Sequence, residues 1–413
     1  MKPLAEAQRR VLGAMAPLPI ERVPLAAAAG LVLAEPADAP HDVPPFTNSA
    51  MDGFAVRAAD LAAAPVDLVI VEDVPAGSVP ALPVGPGQAA RIMTGAPMPE
   101  GADTVVMVEA TSSSGDRVHI GEPVPAGASV RAAGSDVASG ERVFAVGTRL
   151  GPTHLGLLAA IGISAPMVRR RPRVAVLSTG SEVMPAETGR LAVGAIRDAN
   201  RPLLMAMIAE AGAEAVDFGI VPDDAALLRS TLGEAAATCD AVLTSGGVSM
   251  GDYDLVKQVL AETGSIEFWR VAMQPAKPFA FGLLGETPLF GLPGNPVSVT
   301  VAFEQFVRPA LLHRMGARLL FRPRIVGVLD EAVETDPAKI VFLRVIARYA
   351  AGEWRVGLSG GQSSHELTAL AAANAFAVIP VGTGGLAAGE QVELEMFRWP
   401  EARTAEEVLG WTG

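Results

Sequence analysis

Hydrophobic positions along the chain change their period several times, and each change predicts a different kind of element. Leu4, Ala7, Val11, Leu12 and Met15 fall on one side of a helix over 3–16, an amphipathic segment that needs a surface to pack on. Pro17 and Pro19 end it. From about 41 to 150 the apolar residues come in short valine-bearing runs cut by Pro and Gly, such as VDLVIVEDV, RIMTGAPMPEG and DTVVMVEA, the pattern of a small all-β unit. A short helix is predicted over 153–162.

Between 172 and 315, β-rich runs alternate with helical ones. Strands are predicted at 174–177, 215–221, 241–244 and 266–271, with helical stretches starting at Asn200 and over 224–238 and 253–262. Asn200 offers a capping side chain and Pro202 a first-turn proline. That order predicts a mostly parallel, doubly wound sheet with helices on both faces, whose ligands gather at the carboxyl ends of the strands. From about 322, β patterning returns in RIVGVL, VFLRVIARY, EWRVGL, AFAVIPV and QVELEMF, which predicts a separate small barrel or sandwich. The expected fold class is therefore α/β plus all-β domains.

Composition narrows the function. A chain of 413 residues should form more than one domain, and 50% hydrophobic with 19% charged residues marks it as globular nearly throughout. A net charge of −13 argues against nucleic acid or anionic lipid as a partner, so any phosphate must be held by local devices. The single cysteine, Cys239, excludes an intrachain disulfide and multi-cysteine metal sites. Glu6, Arg9 and Arg10 interrupt the N-terminus before a signal-peptide core could form, and the apolar stretch 23–34 holds Pro24 and Gly30 and is shorter than the roughly 20 residues a membrane span needs. The expectation is a cytoplasmic protein with no membrane partner. The run Arg169, Arg170, Arg171, Arg173 reads as a solvated interdomain linker rather than an anion site.

Three predicted strand ends carry the candidate chemistry. In LSTGSE, Ser178, Thr179 and Gly180 let backbone amides approach an anion, and Glu182 adds a carboxylate. In TSGGVSMGDYD, Ser245, Gly246, Gly247 and Ser249 suit a phosphate contact beside the carboxylate of Asp254. In FGLPGNPVSVTVAF, Pro293 and Gly294 lead into Asn295, which can cap a helix with Pro296 in its first turn, where free amides face an anion or the residues merely turn the chain. Asp198, Asp223, Asp224 and Asp254 fall at the same edge and would repel a polyanion unless a hard cation such as magnesium lay between. Asp224 also reads simply as a helix N-cap. In the β-rich part, PPFTNSAMDGFAVR makes Asn48 and Asp52 candidates for ligand contact, with Asp-Gly equally at home in a turn; Thr94 carries the same two readings.

Taken in order, NSAMDGFAVR, RIMTGAPMPEGADTVV, STGSE, SGGVSMGDYD and FGLPGNPVS resemble the molybdopterin molybdenumtransferases, and the resemblance runs from about residue 3 to 398. It implies an elongated homodimer with an N-terminal helix and linker domain (1–40 with 140–170), a β-rich domain (41–139), a molybdopterin-binding α/β domain (171–321) and a C-terminal β domain (322–413). It further implies that adenylated molybdopterin binds with magnesium, that molybdate is inserted, and that AMP is released. The family's acidic positions fall on Asp52, Asp136, Glu182, Asp223 and Asp254, with Glu182, Asp223 and Asp254 toward the metal. Its threonine falls on Thr94, and its basic and hydroxyl positions on Lys277, Arg344 and Ser364, where Lys277 and Arg344 would partner phosphate or molybdate. Implied partners are molybdopterin adenylyltransferase and apo-molybdoenzymes. Many relatives read Lys-Pro-Gly-Lys where this chain has Gln274, Pro275, Ala276, Lys277. The lost cation predicts that Gln274→Lys would tighten molybdate dependence. Two other functions stay in view: the adenylyltransferase that makes the adenylated pterin, and a non-catalytic scaffold that carries the finished cofactor.

Overall fold

The computed structural model describes residues 1–247, 255–401 and 404–411, without the side chains of 255–257 and 263. It divides into two compact units, one of 22–29 with 33–168 and one of 1–21, 30–32 and 169 onward.

Helix α1 (Leu4–Gly13) belongs to the larger unit. Its Ala7 and Val11, one turn apart, are wholly buried in the core of the α/β sheet described below, and Gln8 Nε2 donates to the Gln305 carbonyl at 3.1 Å. The surface that the amphipathic pattern called for is thus the α/β domain.

The smaller unit is built on a six-stranded sheet: β1 (Gly53–Val56), β2 (Val66–Val74), β3 (Gln88–Ile92), β4 (Thr104–Met107), β5 (Thr111–Ser114) and β6 (Arg117–Ile120), in the order β4-β1-β3-β2-β6-β5. Only β2 and β3 run parallel. Phe54, Val56, Leu68 and Val106 pack in one cluster, and Ala55, Val74, Ala90 and Val105 in another. Burial on two sides explains why these strands read as unbroken apolar runs instead of alternating ones. Gly53 is required, since a Cβ there would lie 2.0 Å from the Val106 carbonyl oxygen. The short helix expected near 153–162 is α2 (Pro152–Ala160), with its proline in the first turn.

In the larger unit the α/β elements are β7 (Arg173–Thr179), α3 (Asn200–Ala211), β8 (Glu214–Val221), α4 (Ala225–Thr238), β9 (Ala241–Ser245), α5 (Leu255–Thr263), β10 (Glu267–Arg270), β11 (Pro278–Leu284), β12 (Thr287–Leu292), α6 (Pro296–Ala302) and α7 (Arg308–Arg314), the last two joined by a π-helical segment, Phe303–Val307. The sheet order is β8-β7-β9-β12-β11-β10. Pairings from β8 to β12 are parallel; β11 and β10 are antiparallel. Four strands are therefore joined in parallel; β10, the strand expected at 266–271, pairs antiparallel with β11 and so shares the direction of the other four, and β11 alone runs against them. The cause is the hairpin at Gly285 and Glu286, which returns the chain without a helical crossover.

Three local readings are corrected. Asn200 does not cap α3: its side chain makes no cap bond and instead leaves the helix for Ser245 and Gly294. Asn295 does not cap α6 by its side chain either. The arginine run is no solvated linker, because Arg169 donates to the Leu18 carbonyl, Arg170 forms two bonds with Asp240, Arg171 reaches the Gly212 carbonyl and Arg173 the Thr238 carbonyl. Asp224, by contrast, does cap α4, accepting from the amides of Ala226 and Leu227.

The C-terminal strands β13 (Arg324–Leu329), β14 (Ile340–Ala350), β15 (Glu353–Leu358), β16 (Ala375–Ile379) and β17 (Gln391–Met396) close on themselves in the order β14-β15-β13-β17-β16-β14, so the choice between barrel and sandwich falls to a barrel. Helix α8 (Leu367–Ala372) precedes β16. Phe342 and Phe376 of the barrel share one core with Phe279, Phe303 and Phe306 of the α/β domain. Among the described residues no helix is long and apolar enough to cross a membrane.

Candidate active site

Strand β7 has β8 on one side and β9 on the other, so successive crossovers leave it in opposite directions. A crevice opens at such a reversal, beyond the carboxyl ends of the strands. Here it is a cleft of about 1060 Å³. Its floor comes from Thr179 and Gly180 after β7, Gly246 and Gly247 after β9, and Pro293, Gly294 and Asn295 after β12. One wall is the 273–278 loop with Lys277; the other comes from the barrel and includes Lys339, Gln362, Ser363 and Ser364.

The floor loops are tied together. Thr179 Oγ1 donates to the Ser245 carbonyl at 3.3 Å, and a Cβ on Gly246 (φ +96°) would lie 2.9 Å from the Thr179 carbonyl oxygen, so only glycine permits this approach. Asn200 Nδ2 bridges Ser245 Oγ (2.8 Å) and the Gly294 carbonyl (2.6 Å). Ser181 and Asp223 exchange bonds, amide to carboxylate at 3.2 Å and amide to hydroxyl at 3.0 Å, joining the loop after β7 to that after β8. Glu182 folds over Gly180 and lines the cleft with Asp223. The barrel is fastened to the start of α6: Asn295 Nδ2 donates to Ser364 Oγ at 2.8 Å and the Val297 amide to the Ser364 carbonyl at 3.2 Å.

Family models match three stretches of the chain: "MoeA N-terminal region (domain I and II)" over 2–162, "Probable molybdopterin binding domain" over 175–313, and "MoeA C-terminal region (domain IV)" over 326–397. The chain belongs to the molybdopterin molybdenumtransferase family. A molybdopterin molybdenumtransferase 2 of Mycobacterium tuberculosis is 41% identical over 404 residues, covering 95% of this chain and 99% of that relative. A molybdopterin molybdenumtransferase of Nostoc is 39% identical over 382 residues, 90% of this chain and 87% of that one. The crystal structure of a molybdopterin biosynthesis MoeA protein from Pyrococcus horikoshii superposes with a TM-score of 0.82 at 31% identity, covering 96% of this chain and 100% of that chain.

Within this molybdenumtransferase-family fold, the expected residues separate into groups. Thr179, Gly180, Glu182, Asp223, Gly246, Gly247, Lys277, Pro293, Gly294, Asn295 and Ser364 meet at the cleft. Ser178, Ser245 and Asp198 lie behind it, buried: Ser178 Oγ donates to Asp198 Oδ1 at 2.9 Å, and Asp198 pairs with Arg201 at 2.9 Å. Asp198 is thus neutralised internally and does not repel a ligand. Arg344 is not on the cleft wall. It is 1% exposed, its Nη2 holds the carbonyls of Gly361 (2.6 Å) and Ser363 (3.2 Å), and burial pulls its pKa down. These bonds tie Arg344 to the 361–364 loop. Ser249 and Asp254 lie outside the described residues.

Asp52, Thr94 and Asp136 belong to the smaller unit. The Thr94 amide (2.7 Å) and hydroxyl (2.8 Å) both donate to Asp52 Oδ1, and these two bonds, the amide first, hold the Asp52 carboxyl below the ordinary carboxylate range. Thr94→Ala keeps the amide and loses the hydroxyl, so the Asp52 pKa should rise part of the way back, which NMR titration of the carboxyl would follow; no movement would mean that the hydroxyl bond contributes nothing. Asn48 is buried, with Nδ2 donating to the Phe46 carbonyl at 3.2 Å, a structural rather than exposed position.

Sequence reasoning missed Ser298, Gln362, Ser363 and Lys339 at the cleft and Asn200 beneath it. Ser298 was hidden in an apolar run, but it stands one helical turn after Asn295 and so shares its face. Lys339 sits in an unremarkable turn, and no spacing marks it.

Proposed function

We propose that the chain inserts molybdate into adenylated molybdopterin in this cleft, with magnesium, cleaving the phosphoanhydride and releasing AMP to yield the molybdenum cofactor. The observation that carries the reading is that one cleft gathers carboxylates, Glu182 and Asp223 on the α/β loops with Glu334 on the barrel wall, together with cations and hydroxyls, Lys277 with Ser298, Ser363 and Ser364. Phosphates and molybdate require the cations and hydroxyls, and a hard cation requires the carboxylates. Magnesium takes one or two carboxylates and completes its shell with water and substrate phosphate, a demand that Glu182 and Asp223 at the cleft can meet. When bound, magnesium would neutralise charge on the phosphoanhydride. Glu182 and Asp223 would be oxygen donors for it, Lys277 would counter negative charge, and the glycine loops allow the substrate close to the backbone.

Matches to the regions flanking the α/β domain, and a cleft wall supplied by the barrel, weigh against an adenylyltransferase. The working form in this reading is a cytoplasmic homodimer, which receives its substrate from molybdopterin adenylyltransferase and hands the cofactor to apo-molybdoenzymes; sedimentation of the purified chain at twice 42.5 kDa would check the dimer. In the decisive assay the protein is incubated with adenylated molybdopterin, molybdate and magnesium. AMP should appear and a chelator should stop it. Rapid adenylation of molybdopterin by ATP would move the assignment to the adenylyltransferase, and cofactor binding without AMP release would move it to a carrier scaffold.

A further inference from the structure

Among the described residues two ammonium groups line the cleft, and of these only Lys277 belongs to a motif. The other, Lys339, lies just before β14, where Met273 and Gln274 pair in parallel with Ile340 and Val341 and the Ile340 amide donates to the Ala272 carbonyl at 3.0 Å. This pairing sets Lys339 beside Gln274. Its side chain is 18% exposed, far less than a freely solvated lysine. Nζ donates to Gln274 Oε1 at 3.4 Å and pairs with Asp336 Oδ2 at 2.6 Å, three residues earlier in the same turn. An ammonium has three donors, and these contacts occupy two.

We propose that Lys339 is a second oxyanion-binding residue of the cleft, acting with Lys277 on molybdate, with Gln274 as its positioning residue and Asp336 as a built-in anion that holds it until the oxyanion arrives. This rests on the reading of the cleft as a molybdate and phosphate site. Gln274 brings no charge of its own, yet its carbonyl is directed at the ammonium and fixes where that charge stands. Asp336 is acted on by both lysines: the Lys339 bond, the Ala338 amide at 2.9 Å and the fields of Lys339 and then Lys277 together keep its carboxyl ionised. Two cations near one carboxylate form a place already suited to negative charge. A dianion entering the cleft draws on both lysines at once, which a carboxylate on a surface turn, 39% exposed, does not prevent.

The arrangement changes what Gln274→Lys should do. A lysine at 274 would stand against the Lys339 ammonium and repel it, so adding the cation should not tighten molybdate binding; it should leave it unchanged or weaken it. With Lys339→Gln already in place, the same Gln274→Lys should restore binding, because the two positions then exchange charge and amide.

The test is equilibrium dialysis of the full-length protein against molybdate alone, with metal content read by mass spectrometry and thermal unfolding as the folding control. Lys339→Gln should weaken binding by about tenfold or more, the range of one charge-assisted contact. Lys339→Arg should retain most of it, Asp336→Asn should tighten it, and the Gln274→Lys, Lys339→Gln pair should recover it. Unchanged binding in Lys339→Gln while Lys277→Gln loses it would overturn the proposal and leave the cleft assignment standing. Unchanged binding in both, or no molybdate bound by the wild-type chain, would overturn the cleft assignment as well. Tightening by Gln274→Lys in the otherwise unaltered chain would reject the exchange of roles.

Discussion

Glu304→Ala should lower stability by about 3–5 kcal/mol, the cost of removing one partner from a buried ion pair. Glu304 lies in the π-helical segment and is 7% exposed. Its two oxygens accept from Arg322 Nε at 2.7 Å and Nη2 at 2.9 Å, in the forked geometry that carboxylate and guanidinium match best. Burial alone would lower the Arg322 pKa, but the bonds and fields of Glu304 and then Glu210 outweigh it and raise the value. Without Glu304 the guanidinium keeps as its carboxylate partner the more exposed Glu210 at 3.1 Å, with the Phe397 carbonyl at 3.4 Å. Glu304→Gln preserves shape and one acceptor and should fall between. The double variant Glu304→Leu, Arg322→Met should be less damaged than Glu304→Ala, because the guanidinium that forks onto Glu304 leaves with it and only Arg308, paired more loosely at 3.9 Å, loses a carboxylate. Chemical denaturation followed by fluorescence would measure this series; a loss under about 1 kcal/mol in Glu304→Ala would place the pair among ordinary surface contacts.

Gly180→Ala should damage magnesium dependence as severely as Glu182→Gln, although it removes no functional group. Gly180 has φ +133°, and a Cβ there would lie 2.6 and 2.7 Å from the two Glu182 carboxylate oxygens. The methyl and the carboxylate cannot share that space. The carboxylate must swing away, at a backbone cost of roughly 1–3 kcal/mol. If Glu182 holds the metal, both variants should raise the magnesium requirement for AMP release by at least about 10- to 100-fold, the loss seen even for residues that only support a ligand. A titration of activity against magnesium separates this from general damage, since excess metal should recover much of the rate. Normal magnesium dependence in Glu182→Gln would remove Glu182 from the metal site.

What the amino-acid pattern disclosed was whatever depends on local rules. The helix at 4–13, the capping by Asp224, the strands β7, β8 and β9 and the glycine-bearing loops behind them all follow from period, capping chemistry and φ > 0 positions. The reversed direction of β11 was not legible, because the 278–292 run is apolar on nearly every residue and gives no sign of direction. Arg344 was marked as an anion partner by the resemblance alone; what the amino-acid pattern could not show is that its guanidinium holds the carbonyls of Gly361 and Ser363, brought back by the turn after β15. Lys339 was invisible for a similar reason. Its importance comes from a parallel pairing between segments 67 residues apart, Gln274 with Val341 and its neighbours, which no local pattern records.

The core shared by the barrel and the α/β sheet has a consequence for how such a chain can change over time. Phe279 stacks on Phe306 at 4.3 Å, Phe342 and Phe376 enter the same apolar mass, and Gln305 Nε2 donates to the buried Glu395 of the barrel at 2.7 Å. The barrel is therefore not a detachable module that could be traded between lineages while the sheet stays intact. A graft would expose aromatic surface on one side and strand a polar pair on the other. Variation that adjusts the cleft has to arrive as substitutions within a fixed frame, one wall compensating for the other, which is the kind of exchange that an amide at 274 facing an ammonium at 339 records.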